Sequence, residues 1–84
     1  MNNYIPYYIS TADTYTLTQK TEGVLHSIVV GTTAAGTITV SDNKGTIAVL
    51  KASVGEGTYL YDVVYNGFLK VVTAGESTLT VSYN

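Results

Sequence analysis

The sequence predicts an all-β fold: a compact antiparallel β-sandwich or small barrel of about seven or eight short strands with an extended N-terminal arm. Three observations predict it. Apolar and polar residues alternate with a period of two in several runs, as they do in half-buried strands. Glycines, often beside Asn or Asp, separate these runs at regular intervals. No amphipathic pattern longer than one helical turn interrupts them.

The first dozen residues form the predicted arm. Pro6 interrupts the run MNNYIPYYIS, and because proline cannot donate a hydrogen bond to a sheet, the segment suits an edge strand or an arm. Residues 1–12 are therefore assigned to an N-terminal arm or edge strand, and residues 13–84 to the sandwich domain. We expect the apolar side chains of the arm to contact a partner or a neighbouring subunit: Tyr4, Ile5, Pro6, Tyr7, Tyr8 and Ile9.

The strands predicted next along the chain are of two kinds. TYTLTQ and GTITVSD alternate apolar residues with threonine, whose β-branched side chain suits the wet face of a pleated strand. GVLHSIVVG and GTIAVLKA are apolar on both faces. Strands of the second kind either lie centrally under other elements or contribute their outer face to a subunit interface.

The last part of the chain contains a tyrosine-rich strand, GTYLYDVVY, and a closing strand, STLTVSY. The closing strand alternates in the same way as the earlier threonine-rich runs. In the tyrosine-rich strand, one face carries Tyr59, Tyr61 and Tyr65 and leaves Leu60 and Val64 on the other. The tyrosine stripe is either the core of the sandwich or a subunit contact, and both interpretations leave an apolar face that needs cover.

Two turns have specific sequence signatures. Asp42-Asn43-Lys44-Gly45 fits a hairpin in which Gly45 takes a positive φ. Asn66-Gly67 lies between the tyrosine-rich strand and the run FLKVV, and favours a two-residue type I′ hairpin. The sequence thus predicts that the strands on either side of each turn pair with each other.

Composition narrows the function classes. Hydrophobic residues make up 45% of the chain and charged residues 12%, well below the roughly 25% charge of ordinary globular domains, which favours self-association. Four lysines, no arginine and a net charge of −2 argue against nucleic-acid binding. No segment approaches the roughly 20 apolar residues of a membrane span, and the N-terminus does not resemble a signal peptide, so we expect no membrane partner.

His26 is the only histidine, and we interpret it as a hydrogen-bonded or interface residue. The alternation places it on one face with Val24, Ile28 and Val30. Ser27 would then point to the opposite face, so the two side chains cannot act as a nucleophile and its base. Between subunits, His26 would make a pH-sensitive contact.

Catalytic, metal and cofactor sites are not predicted. The six acidic residues are dispersed, and the chain has no cysteine to supply a thiolate ligand. Asp62 lies among apolar residues and, if buried, would need a partner such as Lys70 or backbone amides. We therefore expect a protein that is not an enzyme and that holds no metal and no cofactor.

The run GVLHSIVVGTTAAGTITVSDN, followed by GTYLYDV and TLTVSY, resembles small all-β virion proteins of tailed bacteriophages over about Gly23 to Tyr83. The resemblance implies a structural protein that decorates or cements the capsid as a homotrimer, by binding across subunits of the major capsid protein. It also implies a location on the outer capsid surface of the virion, after synthesis in the host cytoplasm. The alternative is a receptor- or glycan-binding module of a phage tail or fibre. Composition, rather than the resemblance, nominates the interface residues: the arm from Tyr4 to Ile9, and Tyr59, Tyr61 and Tyr65.

Overall fold

The computed structural model describes residues 4–19 and 21–84. Within them the chain forms eight β-strands and no helix. The strands are β1 (Ile5–Ile9), β2 (Thr14–Thr18), β3 (Glu22–Thr32), β4 (Ile38–Asp42), β5 (Gly45–Leu50), β6 (Gly57–Asn66), β7 (Leu69–Thr73) and β8 (Thr78–Tyr83). The all-β prediction is confirmed, and residues 1–3 of the predicted arm lie outside the described residues.

The strands form two four-stranded antiparallel sheets. Sheet A has the order β1-β8-β3-β6, and sheet B has the order β2-β7-β4-β5. Consecutive strands alternate between the sheets, except that β4 and β5 pair with each other as a hairpin. Eight strands in this order make a jelly roll, a sandwich built from two Greek keys. The predicted β-sandwich is therefore confirmed.

The core lies between the two sheets and follows from the period-two alternation. Every second residue of β4, β7 and β8 is buried. Each strand contributes at least one buried apolar side chain to the core, which contains Ile9, Leu17, Leu25, Ile28, Val30, Ile38, Val40, Leu50, Val54, Tyr65, Leu69, Val71, Leu79, Val81 and Tyr83. Burying one such side chain stabilises the fold by about 1.5–3 kcal/mol, so stability is distributed over both sheets.

The segment predicted as an arm or edge strand lies in sheet A as the edge strand β1. It pairs with β8 from Ile5 opposite Tyr83 to Ile9 opposite Leu79. An edge position tolerates Pro6 because one side of the strand needs no ladder hydrogen bond. The ring of Tyr7 meets that of Tyr15 on β2 edge-on, with centroids 6.1 Å apart, and so joins the two sheets on this side.

The two predicted turns have different outcomes. The turn from Asp42 to Gly45 is a hairpin as predicted, and Gly45 has a φ of +130°. The hairpin predicted at Asn66-Gly67 is wrong, because β6 lies in sheet A and β7 in sheet B. Gly67 has a φ of +81°, and its N–H donates to the carbonyl of Thr21 at 3.1 Å. The turn residues favour a tight reversal, but the buried face of the following strand decides which sheet that strand joins.

Asp42 ties the two turns together. Its carboxylate accepts hydrogen bonds from the N–H of Lys44 at 2.9 Å and from the N–H of Asn66 at 3.0 Å. The N–H of Asn43 donates to the carbonyl of Asn66 at 2.9 Å. Burial of Asp42 acts to raise its pKa, but the N–H groups of Asn66, Lys44 and Gly45 and the charge of Lys44 outweigh that effect, so the pKa lies below its usual value.

Candidate interaction surface

The outer faces of the two sheets differ in chemistry. The outer face of sheet B is mostly polar, with Thr14, Thr16, Thr39, Ser41, Thr46 and Lys70, and its apolar residues are Val49 (58% exposed) and Val72. The outer face of sheet A exposes large apolar side chains, which we call the apolar face: Tyr8 (66% exposed), Val29 (36%), Leu60 (67%) and Val64 (52%). Exposed apolar groups gathered on one side of a small domain mark an interaction surface.

The pairing register places the members of the apolar face on neighbouring strands. Tyr8 pairs with Thr80 on β8, and Thr80 pairs with Val29 on β3. Val29 pairs with Thr58 on β6, and Leu60 is the next outward residue of that strand. The apolar face therefore has members on β1, β3 and β6, with Thr80 of β8 between Tyr8 and Val29, and its largest exposed groups lie on the edge strands β1 and β6.

A local irregularity interrupts the regular pairing in the middle of sheet A. Leu25 and Ser27 of β3 pair with the adjacent residues Tyr83 and Ser82 of β8, which leaves His26 as an extra residue on β3. On the other side, the same two β3 residues pair with Val63 and Leu60, so β6 has one residue more than β3. Paired bulges of this kind re-aim side chains and sharpen the local twist.

The bulges place His26 on the outer face. The alternation predicted that His26 would share a face with Ile28 and Val30, and this is wrong because the extra residue reverses the alternation at this point. Ile28 and Val30 point into the core, whereas His26 is 31% exposed. The pattern of residue types carries no signal for a bulge of this kind.

On the outer face, His26 forms a cluster with Asp62 and Tyr4. Its Nδ1 atom lies 2.5 Å from Oδ1 of Asp62. The ring of Tyr4 is stacked on the imidazole, with centroids 4.1 Å apart and an interplanar angle of 10°. Asp62 has a φ of +50°, a left-handed conformation that Asp tolerates better than most residues. Asp62 is 58% exposed and its partner is His26, whereas Lys70 lies over the ring of Phe68 at 5.7 Å from its centroid.

The tyrosine stripe of β6 faces the core. Tyr65 is fully buried, and Tyr59 and Tyr61 are partly buried against the core cluster. Burial raises the pKa of Tyr61 and of Tyr65. The surface that β6 leaves open is the opposite one, with Leu60 and Val64. The alternation could have identified those two residues, but it could not decide between the two faces of a strand that is apolar on both.

The arm residues nominated for an interface are divided between surface and core. Ile5, Pro6 and Tyr8 are exposed, and Tyr8 belongs to the apolar face. Tyr4 and Tyr7 are half-buried, in contact with His26 and Tyr15 respectively. Ile9 is buried in the core at 1% exposure.

Four loops meet at one end of the sandwich, which we call the four-loop end. They connect β1 to β2, β3 to β4, β5 to β6 and β7 to β8. Hydrogen bonds join them, including Ser53 N–H to the carbonyl of Ala34 at 3.0 Å and Thr33 N–H to the carboxylate of Glu56 at 3.2 Å. The charged residues of these loops are Asp13, Glu56, Glu76 and Lys51, so acidic groups predominate at this end.

Other kinds of site are not seen in residues 4–19 and 21–84. No three His, Asp or Glu side chains come together there in a way that could hold a metal ion. The described surface contains no pocket. Within the same residues there is no helix with the length and apolar character needed to cross a bilayer.

The comparisons with known proteins give a structural match. No family model matches the sequence, and no curated protein matches it either. The fold is similar to the crystal structure of the Drosophila NLP-core, described for its pentamer formation and histone binding. The TM-score is 0.65 with 19% sequence identity, and the match covers 95% of this chain and 94% of the other. At this identity the likeness concerns the fold.

This match corrects the interpretation of the sequence as a phage virion protein. The proposed phage resemblance, the capsid-decorating or cementing function, the major capsid protein as partner and the homotrimer are contradicted, because the structural neighbour is a histone-binding, pentamer-forming core. The phage tail or fibre alternative belongs to the same overturned interpretation. Alternating strands with glycine turns occur in many small antiparallel sandwiches, so the pattern specified the fold and not the family. The chain is similar in fold, over nearly its whole length, to the Drosophila NLP-core.

Proposed function

We propose that this chain is a non-enzymatic assembly module whose copies join into a closed ring through the apolar face of sheet A. The observation that carries the proposal is the exposure of Leu60 and Val64, which are 67% and 52% exposed on the outer side of the edge strand β6. A stable monomer gains nothing from holding two such side chains in water, whereas a second copy that covers them gains their burial.

The chemistry of the two outer faces indicates which sheet makes the contact between copies. Apart from Val49, the outer face of sheet B carries mainly threonine, serine and lysine, as expected for a surface that stays in water. In the part of the chain that the structure describes, sheet A carries no lysine on its outer face, where the charged groups are the carboxylates of Asp62 and Glu22. Lysine is depleted in the centres of protein interfaces. The contact between copies therefore uses sheet A.

The ring that we propose has five copies. The Drosophila NLP-core is described for its pentamer formation, and it shares this fold over 94% of its length. A closed ring needs a heterologous contact, in which the apolar face of one copy meets a different surface of the next. Repetition around the ring would cover every apolar face at once.

The partner that we propose for the ring is a basic protein. The Drosophila NLP-core is described for its histone binding. In this chain, the four-loop end carries Asp13, Glu56 and Glu76 against the single Lys51. Five copies would repeat this excess of acidic groups around the ring, and a clustered negative potential attracts a basic partner and speeds its association.

The assembly is tested by measuring the mass of the protein in solution, by light scattering and native mass spectrometry. We expect the wild-type chain to have the mass of five copies. Leu60→Lys should give a folded monomer, because it places a charge in the centre of the contact. Val49→Lys is the matched control, since Val49 is 58% exposed on sheet B, and it should stay pentameric. A wild-type monomer at high concentration, or a Val49→Lys variant that dissociates while Leu60→Lys does not, would contradict the proposal.

The partner is tested with purified core histones. We expect binding to the wild-type ring to weaken when Glu56 and Glu76 are both replaced by glutamine, and to weaken with added salt. Glu22→Gln removes one charge from the opposite end of the sandwich and should have a smaller effect than Glu56→Gln or Glu76→Gln alone. Equal losses in these three single variants would show that net charge, and not the four-loop end, attracts the histones.

A further inference from the structure

We propose that the cluster of Tyr4, His26 and Asp62 makes assembly through the apolar face depend on pH, with contact between copies tightening as His26 takes up a proton. The inference rests on the proposed function, because the cluster acts on assembly only when a second copy of this chain covers the face.

The position of the cluster connects it with the contact. Asp62 lies on β6 between the exposed residues Leu60 and Val64. His26 lies on the neighbouring strand, hydrogen-bonded to Asp62 through Nδ1 at 2.5 Å. A partner that covers Leu60 and Val64 therefore also covers the carboxylate between them.

The local backbone indicates that the pairing of His26 and Asp62 is a built feature. Both β3 and β6 leave their regular register at this point, and Asp62 adopts a left-handed conformation with a φ of +50°. Residues in such conformations cluster at sites where the chain must hold a particular side-chain arrangement. The pairing of Leu25 with Val63 brings His26 beside Asp62 across the two strands, and the register shifts before the next pair, Ser27 with Leu60.

The charges explain the direction of the effect. In a single copy, water reaches both side chains, with His26 31% and Asp62 58% exposed. In a covered contact, a neutral imidazole would leave the carboxylate of Asp62 as an uncompensated charge away from water, which is unfavourable. A protonated imidazole makes the pair neutral overall, so association favours the protonated form.

The other groups on the outer face of sheet A favour the protonation of His26 or do not oppose it. Glu22 on β3 is the second carboxylate on the outer side of sheet A, and it also favours a cationic histidine. Tyr4 and Tyr8 add neither a carboxylate nor an amine to this face. The outward residues of β8 are Thr78, Thr80 and Ser82, which do not titrate in this range. Within the described residues, no lysine on this face opposes the protonation of His26.

The sign of the pH dependence follows from proton uptake on association. A histidine side chain ordinarily titrates near pH 6.5. Because the assembled form binds the proton more tightly, the added affinity is fully present below that pH and is lost as the pH rises through the titration midpoint of the assembled form. A shift of one unit in that midpoint corresponds to about a tenfold change in the dissociation constant of one contact.

The test is the dissociation constant of the full chain at pH 6, 7 and 8 at constant ionic strength, measured by sedimentation velocity. If the wild type does not dissociate at accessible dilution, the measurement is made in a Leu60→Ala background, where the contact is weaker. We expect the contact to weaken by about three- to tenfold from pH 6 to pH 8. His26→Gln should lose this dependence, because His26 is the only histidine and the glutamine does not titrate.

A second variant separates the charge of Asp62 from its backbone conformation. Asp62→Asn keeps a residue that tolerates a positive φ but removes the carboxylate. Asp62→Asn should therefore fold and assemble, and its affinity should no longer rise as the pH falls. The imidazole titration of His26, followed by NMR, should have a higher midpoint in the assembled wild type than in wild type diluted until it is monomeric, a comparison that adds no charge beside Asp62.

The outcomes distinguish the two proposals. An assembly with the same affinity at pH 6 and pH 8, or a pH dependence that persists in His26→Gln, overturns the role of the cluster and leaves the ring intact. A wild-type chain that is monomeric at every pH overturns both. Affinity that increases with pH would show that association releases a proton, which is the opposite of the inference.

Discussion

The hydroxyl of Tyr65 donates a hydrogen bond to the backbone carbonyl of Asn84 at 2.6 Å, and so links β6 to the chain beyond β8. The N–H of Asn84 donates to the carbonyl of Val24 at 3.0 Å, and its side-chain Oδ1 accepts from the N–H of Val24 at 2.9 Å. Tyr65 is fully buried. Three strands of sheet A are thus joined at one corner by a small set of hydrogen bonds around a buried tyrosine.

We predict that Tyr65→Phe lowers the free energy of unfolding by about 1–3 kcal/mol, because it leaves the Asn84 carbonyl without its donor in a buried place. Urea unfolding followed by circular dichroism measures the change. Tyr8→Phe is the control, since Tyr8 is 66% exposed, and it should change the free energy by less than about 0.5 kcal/mol. Similar losses in the two variants would mean that the hydroxyl of Tyr65 has no special role.

Gly23 lies against the same hydrogen bond. A Cβ atom at this position would collide with the hydroxyl of Tyr65 and the carbonyl of Asn84. Gly23→Ala should therefore destabilise the fold by about 1–3 kcal/mol through overpacking. Gly55→Ala is the matched control, because its Cβ would meet only the Tyr59 hydroxyl, at an ordinary contact distance of 3.4 Å. Thermal unfolding of the two variants would contradict the prediction if Gly23→Ala melted at the wild-type temperature.

Ser53 has a φ of +56° in an exposed loop, where its N–H donates to the carbonyl of Ala34. Ser53→Gly keeps that hydrogen bond and removes the unfavourable contact of Cβ in a left-handed conformation. We expect a gain of roughly 0.5–1 kcal/mol in the free energy of unfolding, because the added chain entropy of glycine offsets part of the benefit. Gly45→Ala, at a φ of +130°, should act in the opposite direction. Denaturant titrations of both variants test whether the free energy of unfolding rises in Ser53→Gly and falls in Gly45→Ala.

Asp42 should make the fold sensitive to acid. Its pKa is held below the ordinary value of 3.8, because backbone N–H groups outweigh the effect of burial. The folded state therefore favours the ionised carboxylate, and the stability that it contributes is present above the unfolded pKa and is lost as the pH falls through the lower folded pKa. Unfolding free energies measured from pH 2 to pH 5 should fall less steeply in Asp42→Asn than in the wild type. If the unfolding free energy fell equally steeply with pH in both proteins, ionised Asp42 would not stabilise the fold.

The strands and their buried faces follow directly from the sequence because they depend on short-range alternation. Ile38 and Val40 point inward on β4, as the pattern predicts, and so do Leu79 and Val81 on β8. The turn at Gly45 was also predictable, since the positive φ that it needs is a local requirement. These features require no knowledge of which strands are neighbours.

The remaining features depend on contacts between distant residues. Asn66-Gly67 connects the two sheets, because β7 pairs with β2 and β4 and not with β6. The closeness of His26 and Asp62 depends on the register in which β3 pairs with β6, and the bulges at this point are defined only relative to a partner strand. The period-two pattern could show that β6 is apolar on both faces, but only the position of β6 at the edge of sheet A decides that Tyr65 is covered and Leu60 is not.

The strand order also sets when the chain can fold during its synthesis. Only β4 and β5 pair with their immediate neighbour in sequence, and β1 pairs with β8 alone. Sheet A cannot form its central pairing until Thr78–Tyr83 has left the ribosome, because β8 lies between β1 and β3. The apolar residues of β1 and β3 therefore remain without their partner strand until β8 has been synthesised, and topologies with such long-range pairing fold slowly. Until then these strands expose unpaired edges and apolar side chains, which favour aggregation.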